Sequence, residues 1–73
     1  MNGHKNWNHW NVHLWITNDE GLYRAAREAV EMAHNKDRAA SAYMRWLKSL
    51  NIHETPDGAP YTQTSVRAAM RDF

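Results

Sequence analysis

Apolar residues recur at helical spacing in three long stretches of the chain and one short one. The first stretch, residues 7–17, follows Asn6, which reads as its N-cap. On a wheel turning about 100° per residue, Trp7, Trp10, Leu14 and Trp15 share one face, and Val12 and Ile16 widen the apolar arc past half the circumference. His9, His13 and Thr17 are left on a narrow polar strip. A helix so apolar is expected at the centre of a bundle, with Trp10 and Trp15 in the core and Trp7 near a frayed end. Asn11 falls inside the arc and, once buried, is expected to hydrogen-bond to backbone elsewhere.

Thr17-Asn18-Asp19-Glu20 has the form of a capping box, Thr17 at N-cap and Glu20 at N3, and predicts a second helix over residues 18–34. Leu22, Ala25, Ala26, Ala29, Val30 and Ala33 form its inner face, the alanines allowing close approach to the first helix. Arg24, Arg27, Glu28 and Glu31 lie outside, with Glu20–Arg24 and Arg27–Glu31 spaced for ion pairs. Polar residues 35–37 lead into a third helix, residues 38–50, with Ala39, Tyr43, Trp46, Leu47 and Leu50 inward. Asn51 suits a left-handed stop, and Ile52 is placed to fold back on the last turn.

Thr55-Pro56-Asp57-Gly58 then reads as a turn, since proline presets φ and glycine accepts positive φ. Pro56 and Pro60 forbid a helix across this stretch. A short last helix, capped at Thr62 or Thr64 and ending near Arg71, carries the stripe Val66, Ala69, Met70, Phe73. That stripe is enough to dock on a bundle and too little to stand alone. The pattern predicts an all-α fold: a small bundle of three main helices plus a short C-terminal helix after a Pro/Gly turn. It is read as one domain over residues 1–73, with residues 1–5 disordered and 51–61 a turn and loop.

Seventy-three residues give room for one core, burying roughly 60% of the unfolded chain's surface. With Cys 0, no disulfide and no thiolate metal site reinforces it, so four Trp and three Tyr must supply the bulk. Hydrophobic residues at 42% against 23% charged place the chain among folded rather than disordered proteins. Apolar runs of three residues or fewer cannot span a membrane, and Met1 to Lys5 lead into no apolar signal segment, so a cytoplasmic protein is expected. A formal net charge of +1 argues against a polyanionic mimic of DNA and gives little support to a phosphate-backbone binder.

Two segments carry resemblances. Residues 6–23, NWNHWNVHLWITNDEGLY, resemble a Trp-Asn-Val-x-Leu-Trp-Ile-x-Asn-Asp-Glu signature of small proteins from phages, plasmids and other mobile elements. That resemblance implies an accessory protein that binds and disables a host machine, CRISPR and restriction systems among them. Trp46-Leu47, Asn51, Thr55-Pro56-Asp57-Gly58, Tyr61-Thr62 and Ser65-Val66-Arg67 resemble the DNA-binding tail of large serine recombinases. There Asp57 stands where the pattern is usually basic, which weakens contact with phosphates.

Candidate chemistry is sparse. His9 and His13 have the i,i+4 spacing of a helical metal pair, but no third ligand is evident, and they read as solvated residues. No Gly-rich phosphate loop, HExxH or nucleophile elbow occurs, so neither an enzyme nor a cofactor is expected. Arg45, Lys48, Tyr61, Arg67 and Arg71 are the expected partner-binding residues, near the turn at residues 55–60. The favoured partner is a host protein complex, and the alternative is DNA, with helices three and four acting as a helix-turn-helix.

Overall fold

The computed structural model describes residues 4–71 and Phe73, with side chains from Trp7 onward except that of residue 72. Four helices follow in order, α1 His4–Asn18, α2 Glu20–Met32, α3 Lys36–Ser49 and α4 Gln63–Ala69, an all-α bundle as the periodicity predicts. Each helix packs on two others: α1 and α3 both contact α2 and α4, and among the described residues α1 and α3 are not neighbours. The short α4 therefore closes a ring that the three longer helices leave open.

α1 begins at His4, so Asn6 lies within it rather than capping it. Residues 1–3 lie outside the described residues. The joint between α1 and α2 is the single residue Asp19, whose carboxylate caps α2 by accepting from Leu22 N–H at 3.0 Å. Thr17 is not the cap. Because α1 runs on to Asn18, the Thr17 hydroxyl donates backward to the carbonyls of His13 and Leu14. Glu20 pairs with Arg24 as expected, but Arg27 donates to the Tyr23 hydroxyl rather than meeting Glu31.

α3 is capped by Asn35, which accepts from Arg38 N–H, and it ends at Asn51 with φ 62°. Asn51 N–H reaches Lys48 C=O and Ile52 N–H reaches Leu47 C=O at 2.9 Å, the paired bonds of a Schellman stop. At the turn, Gly58 takes φ 95° and its N–H closes onto Thr55 C=O. Glu54 and Pro60 form an antiparallel bridge, and Tyr61 N–H bonds His53 C=O, making the loop a short hairpin. Thr62, not Thr64, caps α4 in a reciprocal box: Ser65 N–H donates to Thr62 Oγ1, and Thr62 N–H donates to Ser65 Oγ.

The core draws Val12 and Ile16 from α1, Ala26 from α2, Ala39, Ala40, Tyr43 and Leu47 from α3, and Val66, Ala69 and Met70 from α4 and its cap. Phe73 lies edge-on to Tyr23 with centroids 5.4 Å apart, completing the stripe expected of the last segment. The tryptophans depart from expectation. Trp10 is 56% exposed, and Trp7 and Trp46 are also exposed, while Trp15 is half-buried. α1 is rotated so that Asn11, Val12 and Ile16 face inward, and Trp10 points away from the bundle.

Candidate functional site

The reason for that rotation lies in the turn. Asn11 is buried, and its amide donates to Asp57 Oδ2 at 2.9 Å while its carbonyl accepts from the Thr55 hydroxyl at 2.6 Å. Trp15 Nε1–H reaches the same Asp57 oxygen at 3.0 Å. Thr55 Oγ1 also accepts from Ala59 N–H, so the turn's inner polar groups and the α1 face form one network. Asn11 thus finds side chains rather than the backbone expected for it. The hydrogen bond from the Asn11 amide, and then that from Trp15, hold the Asp57 carboxyl below its ordinary range, against a smaller opposing effect of desolvation.

These contacts account for most residues behind the recombinase resemblance. Thr55 and Asp57 tie the turn to α1, Thr62 and Ser65 form a cap, and Val66 is core. Tyr61 is 6% exposed, and burial, then the nearby Asp19 charge, push its phenol up. Burial likewise raises Tyr43, with Tyr61 and Asp19 adding to it, and the Tyr43 hydroxyl donates to Leu22 C=O at 2.9 Å.

The five residues expected to contact a partner do not form one patch. Arg45, Lys48 and Tyr61 line a recess of about 160 Å³ near the end of α3. Arg67 pairs with Asp37 in the first turn of α3, and Arg71 offers its carbonyl to Lys36 Nζ at 2.9 Å. The two groups sit at opposite ends of α3, separated by roughly 12–16 Å at about 1.5 Å per residue. Arg67 is also less free than an unpaired surface arginine, because Gln63 draws α4 onto Asp37 C=O and Ser41 Oγ beside it.

Two larger apolar openings lie elsewhere. Between α2 and α3 is a groove of about 310 Å³, floored by Ala25, Ala29 and Ala42 and flanked by Met32, Trp46 and Glu28. It exists because alanines on both helices are too short to fill the space between two helix axes. A second groove, about 490 Å³, runs between the α1–α2 joint and the start of the hairpin, with Trp15, Leu22, Trp46 and Leu50 among its walls. Trp46 is the ridge between the two, stacked at a tilt on Tyr43 with centroids 5.3 Å apart. Met32 at 79% exposed and Leu50 at 51% stand at their rims.

A family model matches the chain over residues 1–73, and its description is "Family of unknown function (DUF7249)". The chain belongs to that family. No curated protein and no solved structure matches it significantly. In this DUF7249 member, Trp46 and Leu50, assigned to the core by their spacing, are instead exposed beside the grooves. Met32 beside them has no role in the sequence pattern, and Asp19 reads there as part of a capping box. The signal that points to the groove is the alanine series of α2 facing Ala42, too little volume for a filled seam.

Among the described residues no three His, Cys, Asp or Glu side chains gather as a metal site. His13 is exposed and His9 partly so. Among the described residues no helix is long and apolar enough to cross a membrane. Chemically, the grooves can take up apolar side chains and bracket them with charge.

Proposed function

We propose that this chain is a non-catalytic binding protein that engages another protein through the apolar surface around Trp46. The observation that carries the reading is the exposure of Met32, Trp46 and Leu50 beside two open grooves. Large apolar side chains gathered at an open groove are the usual mark of an interaction site, and tryptophan is the residue most enriched at binding hot spots. Covering a tryptophan removes up to roughly 150–250 Å² from water. Trp46 is 36% exposed, so roughly a third of that area is left to cover, and at about 25 cal/mol per Å² it supplies about 1–2 kcal/mol before the costs of association.

The resemblance of the α1 segment to a mobile-element signature supports a narrower form: an accessory protein that occupies a surface of a host complex, plausibly a defence machine. Much of that signature serves the fold itself, since Asn11, Val12, Trp15, Ile16 and Asp19 are core, network or cap. The binding residues are therefore sought on α2 and α3.

The test is capture from bacterial host lysate by the tagged protein, with and without nuclease, alongside Trp46→Ala and Leu50→Ala. A protein captured after nuclease and lost with either substitution, at unchanged helical content, is the expected result. Capture that both variants retain overturns the reading. Material released by nuclease points instead to DNA, for which Arg45, Lys48 and Arg71 remain exposed on α3 and beyond α4.

A further inference from the structure

The groove walled by Trp15, Trp46 and Leu50 is lined by charge of one sign. Both charged side chains lining it, Asp19 and Glu54, are acidic. Asp57, bonded to the Trp15 indole, adds a third carboxylate at that end. The chain as a whole carries net charge +1, so this negative site is local.

The Asp19 carboxylate and the Glu54 backbone are also fixed in place. Asp19 is held by its cap bond to Leu22 N–H, and the Glu54 backbone is held by its bridge to Pro60. An apolar floor between two indoles with carboxylates at the rim suits a segment that offers a large apolar side chain and a cation together. Helices that bind in grooves present such residues three or four positions apart. A cation brought against tryptophan gains further attraction from the ring face.

We infer that this groove receives a basic amphipathic helix of a partner protein, its apolar residue seated between Trp15 and Leu50 and its Lys or Arg set against Asp19 and Glu54. The inference rests on the protein-binding reading and names the partner's chemistry. A neutral or acidic helix would leave those carboxylates facing its apolar or negative surface. A second copy of this chain is a different occupant, which the test below separates.

The test uses the full chain and two synthetic probes, an amphipathic helix of leucine and lysine and its leucine–glutamate counterpart, titrated at low and moderate salt with tryptophan emission as readout. Asp19→Asn combined with Glu54→Gln removes the charge and keeps the cap, since Asn caps as well as Asp. Glu31→Gln, on the outer side of α2, removes one charge away from the groove.

The leucine–lysine helix is expected to bind at least about tenfold tighter than its counterpart, on the scale of two surface ion pairs. The double variant should lose most of that preference together with its salt dependence, Leu50→Ala should weaken binding, and Glu31→Gln should change it less than about twofold. Equal binding of the two helices, or equal loss with Glu31→Gln, overturns the inference. So does sedimentation showing a dimer that Leu50→Ala dissociates, because the groove then belongs to a second copy. If the double variant binds unchanged while Trp46→Ala and Leu50→Ala still abolish lysate capture, the basic helix is refuted and the protein-binding reading stands. If those two variants leave lysate capture intact, both fall.

Discussion

α1 and α4 use their apolar residues in opposite ways. α1 is apolar on nearly every side, yet it commits Val12, Ile16 and the polar Asn11 to the interior and turns Trp10 to solvent. α4 has only seven residues and a narrow stripe, and it buries nearly all of that stripe, with Met70 at its cap. The difference teaches that apolar content decides whether a helix can be buried, while polar partners decide how it is rotated. Turning α1 to bury Trp10 would strip Asn11 and Trp15 from Asp57 and leave the buried Thr55 hydroxyl without its acceptor. A buried polar group left unpaired costs about 1–3 kcal/mol, enough to hold the helix where it is.

The sharpest way to break this comparison is Ile16→Ala. A fully buried isoleucine cut to alanine is expected to cost roughly 2–5 kcal/mol, much of the stability of so small a domain, measured by urea unfolding. Asn11→Ala comes next, at about 1–3 kcal/mol, since it leaves the buried Thr55 hydroxyl without an acceptor and Asp57 with the Trp15 bond alone. If Asn11→Ala were neutral, the network would not be what sets the rotation of α1. Thr62→Ala should cost about 1 kcal/mol through the lost cap, showing how far α4 depends on local bonds.

Acid supplies a test of the same network by direction. Asp57 binds its proton less readily in the folded chain than in the unfolded one, so its contribution is present above the ordinary value of 3.8 and is lost as pH falls through the lower folded value. The gap in melting temperature between the wild type and Asp57→Asn should close as the pH drops through that window. A gap constant with pH would detach Asp57 from the network. The smallest effect belongs to Trp10→Ala, expected within about 0.5 kcal/mol because the indole is mostly in water. A loss as large as that of Ile16→Ala would reverse the contrast between the two helices.

Local chemistry was legible and distant chemistry was not. The Asn51 stop, the Thr55–Gly58 turn, the Thr62 cap and the α4 stripe each depend on residues within a few positions, and each stands where the pattern predicts. The setting of α1 depends on Thr55 and Asp57, which lie more than forty residues away in sequence from Asn11. At Thr17-Asn18-Asp19-Glu20 two residues could cap α2, and the choice fell on Asp19 because α1 continues through Asn18.

The candidate site was half legible. Arg45, Lys48 and Tyr61 do meet, since α3 and the hairpin return bring them together. The grooves escaped notice because they are made by what Ala25, Ala29 and Ala42 fail to fill, and a wheel marks alanine as core whether or not anything covers it.

The closing of the ring by α4 bears on how the chain matures during synthesis. Five of the twelve buried hydrophobic residues, Ala59, Tyr61, Val66, Ala69 and Met70, follow the turn. Until those residues have emerged, Val12, Ile16, Tyr43 and Leu47 have no opposite wall. A chain halted before Ala59 therefore leaves those four side chains uncovered on one side, and its helices are expected to hold together less firmly.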